Sequence, residues 1–406
     1  DTTVMRSTGS GYAAYAIAFP ARDHFSVELF RYTGAIIFGK AVCTEYIGRA
    51  GDPGGRHEAV NVLPSTLGYK RSSWAGYPAN PYDTTRAASL GSSSGSGVSV
   101  SANLVMASLG EETRASCRGP ANHNAVSLIL PHKAMLGFDG GAIGADIYCD
   151  RTGILARSLD DCAAILDALK DPDNGYYDPR DPFTTVPRAS VLAMPYVSHL
   201  AADGGEGALS GRRIGVIRES MIVPEGSRSE VPICEAAAGE IKSVLGEKLG
   251  ATLVESSDPL WAPDADLEQM RVDFRRALAA LVPVFMPDIL FRLTPGGEPV
   301  FADFAAAIRP TEFQPGKVFG SGDMAPIDYM VAMADGRIAA PTNLDLGTVQ
   351  QQELAMSFRF HISQYLSRRA DDWEQAGFSE TLKDWATLNA RSKFWGDDQR
   401  AAFKNW

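Results

Sequence analysis

Hydrophobic positions along the chain switch between strand-like and helical spacing, and the switches predict the elements. Ala35-Ile36-Ile37-Phe38 is a short apolar run between Gly34 and Gly39, and Ser127-Leu128-Ile129-Leu130 is another ended by Pro131. Both predict buried strands. Ser158 followed by Asp161 predicts a capped helix start, and Leu159, Cys162, Ile165, Leu166 and Leu169 give that helix one apolar face. Further on, Arg213–Ile217 predicts a strand, and Cys234, Ala238, Ile241, Leu245 and Leu249 make a helical stripe stopped by Gly250. Thr252-Leu253-Val254 predicts the next strand. Strand, helix, strand is a parallel crossover, so the fold class is α/β. From about residue 264 onward, Met and aromatic residues interleave with charge in a helical pattern, and those aromatics are expected in the core.

Residues 48–97 break every period. They are rich in Gly, Pro, Asn and Ser, with turn signals at Asp52-Pro53-Gly54-Gly55 and Asn80-Pro81. So long an irregular stretch in a globular chain tends to carry function. It ends in Gly91-Ser92-Ser93-Ser94-Gly95-Ser96-Gly97, and Ser116 follows Ser92 by 24 positions (116 − 92) in Ala115-Ser116-Cys117-Arg118-Gly119-Pro120. The segment between them is read as a helix that brings the two serines together.

Composition narrows the classes. The chain has 406 residues, 45% hydrophobic and 21% charged, and a net charge of −11. No basic run exists to meet phosphates, so nucleic acid is disfavoured as a partner. No apolar segment of membrane-spanning length occurs. The five cysteines stand singly, without C-x-x-C pairs, and the six histidines show no metal spacing. That argues against a disulfide framework or metal site and for a reducing, cytoplasmic compartment.

Three ideas fit Gly91–Gly97. A phosphate loop fails, because no Lys-Ser/Thr follows. A flexible Ser/Gly linker fits the composition. A nucleophile elbow would make Ser93 the nucleophile of an esterase, with His123 the histidine nearest Ser116 in sequence, but Asp83–Ser89 before it is polar and irregular rather than strand-like.

Taken with the following segment, the region resembles the amidase signature family of serine amidases. The family pattern falls without a gap on Gly91, Ser92, Ser93, Ser94, Gly95, Gly110, Glu112, Ala115, Ser116, Arg118, Pro120 and Ala121. Gly34–Lys40, Asn80-Pro81-Tyr82-Asp83, and Gly153–Ser158 with Asp161 also look like family segments. The likeness covers residues 1–170 well and 211–256 plausibly, and is thin beyond 260. It implies a mixed central sheet covered by helices, with residues 1–260 as the α/β core and 261–406 as a mainly helical layer of the same large domain.

The resemblance also implies chemistry that needs no cofactor or metal. Ser116 attacks a carboxylic amide, Ser92 relays the proton from a cis peptide position, and a neutral lysine is the final base. A serine hydroxyl needs such a base to become a useful nucleophile. The N–H groups of Thr113, Arg114, Ala115 and Ser116 form the oxyanion hole. Ser93 hydrogen-bonds within the site, and Arg118 pairs with a buried carboxylate, Glu112 being nearest. Leu90, Arg114 and Cys117 depart from the pattern, and Arg114 either biases the site toward an anionic group or points into structure. In the family the lysine lies shortly before a Thr/Gly/Ser turn that Thr8-Gly9-Ser10 resembles, which puts it a few residues upstream of Asp1; Lys40 aligns with a structural lysine and Lys70 lies in a loop. The intact protein is therefore expected to be longer or nicked, with the lysine on a missing or separate segment. The expected partner is a small-molecule amide. A homodimer is compatible with this, and so is a partner-dependent or non-catalytic subunit.

Overall fold

The structure, a computed structural model, describes residues 2–5, 22–43, 78–87, 91–113, 115–133, 135–137, 150–171, 173, 175–179, 181, 184, 186–200, 205–217, 231–256, 274–294, 296–309, 320, 322–349, 351–352, 363, 366–367, 374 and 384–391. They fall into two compact units, residues 1–199 with 349–406 and residues 200–348. The boundary expected near residue 260 lies outside the described residues.

The first unit opens with helix α1 (Phe25–Tyr32). His24 Nδ1 accepts the Ser26 N–H at its start (3.1 Å). Gly34, at φ +83°, ends it, with Ala35 N–H bonded to Phe30 O and Gly34 N–H to Arg31 O. This pair of bonds needs a left-handed residue, which glycine supplies without strain. The strand expected over Ala35–Phe38 does not form: the stretch is unpaired, with Ile36 91% and Phe38 74% exposed. An apolar run becomes a strand only where a partner edge exists, and none pairs with it among the described residues.

Strands β1 (Ala79–Asn80) and β2 (Asp83–Ala87) make a short antiparallel hairpin. The polar stretch read as irregular is thus a strand as far as Ala87. Helix α2 (Ser94–Ser101), β3 (Ala107–Glu112), helix α3 (Arg118–His123), β4 (Ser127–Ile129), β5 (Arg151–Ala156) and helix α4 (Leu159–Ala168) follow. β5 lies between β3 and β4 in an antiparallel sheet. Its side chains alternate between two apolar layers, as the strand period requires. Leu155 packs with Val100, Cys117 and Ala121 of the α2–α3 side, while Ile154 and Ala156 pack with Cys162, Leu166 and Leu169 of the α4 side. The expected cap of α4 is present, Ser158 Oγ accepting Asp161 N–H at 3.0 Å. Leu159, expected on the apolar face, is half exposed, since it sits in the first turn before the helix reaches the core.

The second unit contains the predicted crossover. β6 (Arg213–Ile217) and β7 (Thr252–Ser256) pair in parallel, joined through helix α5 (Val231–Ile241) and a continuing π-helical segment, Lys242–Lys248. Gly250, at φ +76°, follows as the stop. Ala238, Ile241, Leu245 and Leu249 lie along this crossover, while the side chain of Cys234 lies outside the described residues. Helices α6 (Phe274–Phe285), α7 (Ala302–Ala307) and α8 (Pro326–Ala334) complete this unit, with Phe304 in edge contact with Phe291 and Tyr329. A last helix, α9 (Trp385–Arg391), belongs to the first unit. The described elements after β7 are helices, and the strands before it include both antiparallel and parallel pairs.

Candidate active site

The Gly91–Gly97 stretch is the entrance to α2. Gly91 takes φ +95° and its peptide bond to Ser92 is cis. Gly95 donates its N–H to Val42 O (2.8 Å), and a Cβ there would stand 2.4 Å from Val42 N, so only glycine lets this backbone pass. On α2, Ser96 Oγ donates to Leu109 O at 2.8 Å. Ser93 Oγ donates to Glu111 O and accepts Glu111 N–H, both at 3.0 Å. The buried hydroxyls at the start of α2 therefore bolt it to β3.

The residue after Ser92 bonds to Ser116. Ser93 N–H donates to Ser116 O at 3.2 Å, which closes the 24-residue segment at its base. Ser92 is fully buried, and its hydroxyl has no hydrogen-bond partner among the described residues. The Cys43 thiol faces it. Burial and the nearby Glu111 charge push that thiol up to about 12. Ser116 is half-buried and Ala115 exposed, so this turn opens to solvent. Arg114 lies outside the described residues.

Two glycines make room beneath the turn. Gly110 and Gly153 face each other in register across β3 and β5, and a Cβ on either would stand within 2.8 Å of Cys117 Sγ. Cys117, which departs from the signature pattern, fills that slot against Ser93 (Sγ–Oγ 3.8 Å). Burial raises its thiol pKa, so it remains a neutral packing group.

Glu112 organises the Ser116 side. Its carboxylate, fully buried, accepts the N–H groups of Cys117 (3.1 Å) and Arg118 (3.0 Å) on one oxygen. The other oxygen takes Arg118 Nε at 2.9 Å and Arg151 Nη2 at 3.2 Å. Arg118 thus meets the carboxylate expected for it.

Sequence reasoning missed Glu111, Asp150 and Cys43. Thr113 Oγ1 lies 3.0 Å from Glu111 Oε1 and 2.7 Å from Asp150 Oδ1, and both carboxyl groups are buried. Burial first, and then the charge of Asp150, hold the Glu111 carboxyl well above the usual range. One signal was available: consecutive Glu111 and Glu112 on a strand point to opposite faces, so in a covered sheet at least one must be buried.

The elbow reading of Ser93 does not fit. β2 does lie shortly before it, but Ser93 has φ −80°, an ordinary value, and its hydroxyl is bonded on both sides to Glu111. An elbow nucleophile is strained and exposed. His123 is exposed at the end of α3, and its carbonyl accepts Asn80 Nδ2 at 2.7 Å. Among the described residues there is no group of three or more metal-ligating side chains, and no helix is long and apolar enough to cross a membrane.

A family model described as Amidase matches residues 2–259, well over half of the 406-residue chain. The chain belongs to the Amidase family. Among relatives of this chain is a probable amidase of Arabidopsis thaliana, 32% identical over 211 residues, which covers 52% of this chain and 36% of the relative. A glutamyl-tRNA(Gln) amidotransferase subunit of Azoarcus sp. (strain BH72) is 36% identical over 189 residues, 46% of this chain and 35% of that one. The chain thus spans about a third of the length of these curated relatives. The fold matches that of a peptide amidase solved with the competitive inhibitor chymostatin, at TM-score 0.50 and 20% identity, over 100% of this chain and 73% of that one.

Proposed function

We propose that this protein hydrolyses a carboxylic amide through an acyl-enzyme on Ser116. The observation that carries the reading is the pairing at the base of the site. Ser93 N–H holds Ser116 O, and the adjacent Ser92 hydroxyl is buried with no hydrogen-bond partner among the described residues. A buried hydroxyl without a partner carries a desolvation cost of roughly 1–3 kcal/mol, which a relay role explains.

In this reading Ser116 Oγ attacks the amide carbon, and its proton passes to Ser92 and on to the lysine base that the family resemblance implies. The tetrahedral oxyanion forms against the N–H groups of Thr113, Arg114, Ala115 and Ser116. Those of Ala115 and Ser116 have no acceptor among the described residues, because Glu112 takes the next two N–H groups instead. Loss of one such donor costs roughly 2.7–4 kcal/mol of transition-state stabilisation. The C–N bond then breaks as Ser92 returns a proton to the leaving amine, and water releases the acyl group by the same route. A fluorophosphonate probe should label Ser116, and Ser116→Ala should abolish both labelling and turnover of an amide panel of acetamide, hexanamide and benzamide. Labelling of Ser93 instead would return the esterase reading, and full turnover by Ser116→Ala would refute the proposal.

A second reading is favoured by the likeness to the amidotransferase relative: the chain works as the amidase component of an assembly. The purified protein would then turn over the panel only when a partner is supplied, whereas turnover by the isolated protein refutes it.

A further inference from the structure

The Thr113 hydroxyl stands between two buried carboxyl groups, and its hydrogen-bond arithmetic does not close without an extra proton. A hydroxyl carries one hydrogen and can donate it to one acceptor. Thr113 Oγ1 lies within hydrogen-bond distance of both Glu111 Oε1 (3.0 Å) and Asp150 Oδ1 (2.7 Å). If both carboxyl groups were ionised, one of these contacts would set a lone pair against a lone pair. One carboxyl must therefore carry a hydrogen and donate it to Thr113 Oγ1, while Thr113 donates to the other. Glu111 is 9% exposed and Asp150 fully buried. The second oxygen of Glu111 has no hydrogen-bond partner among the described residues.

We propose that Glu111 and Asp150 share one proton through Thr113, and that this carboxyl–hydroxyl–carboxyl clamp positions the turn that presents Ser116. Thr113 is the first residue of the turn whose N–H groups are assigned to the oxyanion in the proposed function, and the inference rests on that reading. The clamp ties the turn to the start of β5, while Glu112 ties its far end through Cys117 and Arg118. Glu111 and Asp150 are thus positioning residues, distinct from Ser116 and Ser92.

The surroundings decide the sign of the pH response. Glu112, on the same strand, is a carboxylate already bonded by Arg118 and Arg151. Cys43 and Cys117 are thiols raised by burial. Lys133 Nζ donates to the backbone carbonyl of Asp150 at 2.6 Å. Loss of the shared proton takes the pair from one negative charge to two in a dry site. The arrangement therefore holds below the pair's upper macroscopic pKa and fails as pH rises through it. A lysine base acts with the opposite sign, gaining activity as it deprotonates, so the two limbs separate.

Two readouts in the intact protein test this. The first is the rate of fluorophosphonate labelling at Ser116 against pH. The wild type should lose rate on the alkaline side. Glu111→Gln has no acid proton to lose and can donate to Thr113 Oγ1 from its amide, so its rate should stay level there. Thr113→Val, isosteric but without the hydroxyl, should lower the rate roughly 10- to 100-fold at every pH, as small misplacements of a reacting group do. The second readout needs no catalysis. An infrared difference spectrum, wild type minus Glu111→Gln at pH 7, should show a carboxylic-acid carbonyl band that fades as pH rises. Absence of that band, or an unchanged alkaline limb in Glu111→Gln, overturns the clamp. If Ser116 is not labelled in the wild type while the acid band is present, the proposed nucleophile fails and the shared proton stands.

Discussion

Removal of the Glu112 carboxylate should unfold more of the site than removal of either arginine that pairs with it. Glu112→Ala takes one fully buried acceptor away from four donors: the N–H groups of Cys117 and Arg118, Arg118 Nε and Arg151 Nη2. Arg118 is 59% exposed and returns its charge to water at little cost. The Cys117 N–H is different, because that residue is fully buried. Each backbone donor left unsatisfied costs about 1–3 kcal/mol. Arg151 is 33% exposed and its Nε already lacks a partner. The total is about 3–5 kcal/mol, the range expected when one member of a buried ion pair is deleted. Arg118→Ala leaves Glu112 with three donors and should cost about 1.5 kcal/mol. Equilibrium urea unfolding of the wild type and the two variants at pH 7 measures the difference, and fluorophosphonate labelling should fall furthest in Glu112→Ala. Equal destabilisation by the two variants, or a Glu112→Ala loss under about 0.5 kcal/mol, would refute the assignment of Glu112 as the hub.

Three other outcomes follow from single contacts. Gly95→Ala places a methyl group 2.4 Å from Val42 N and 2.6 Å from Val42 O, where backbone must move; it should cost about 2–3 kcal/mol in the same unfolding assay, with Ser99→Ala near neutral. Ser158→Ala removes the N-cap of α4 and should cost about 1 kcal/mol, and Ser158→Asp should recover most of it. The Cys43 thiol, held at about 12 by burial and the Glu111 charge, should resist iodoacetamide at pH 8 in the folded protein and react once urea unfolds it. Mass spectrometry of the labelled peptide reads this, and rapid alkylation in the native state would contradict it.

What the chain discloses about itself depends on the range of the interaction. The Ser158 cap, the Gly250 stop and the β6–α5–β7 crossover are local patterns, and each is present where spacing predicts it. Ser92, Ser93 and Ser116 stand out because serine and glycine crowd where no packed side chain fits. Ile36 and Phe38 mislead for the opposite reason: a buried strand is a statement about a neighbour, and an apolar run carries no record of one. Asp83–Ala87 misleads likewise, since a hairpin partner a few residues back makes a polar segment extended.

The hidden part of the site is a matter of register. Gly110 faces Gly153, Glu111 faces Thr152 and Glu112 faces Arg151 across β3 and β5. That alignment puts Glu112 beside a guanidinium and opens the Cys117 slot between paired glycines. It also sets Thr113, just past the last pair, against Asp150, just before the first residue of β5. A slip of one residue would send Glu111 to the face of Glu112 and remove both arrangements together, because strand side chains alternate. No spacing in the sequence states this register, since the two strands are separated by 38 residues (151 − 113) that could close at several offsets. The paired glycines leave room for the Cys117 sulfur, since a Cβ on Gly110 or Gly153 would stand within 2.8 Å of it, and this space would hold the register. A Gly153→Ala variant, whose Cβ would stand 2.7 Å from that sulfur, is thus expected to disturb the Glu111–Thr113–Asp150 contact without touching it. A smaller side chain at position 117 (Cys117→Gly) should restore fluorophosphonate labelling in that background, and failure of this rescue would place the origin of the register elsewhere.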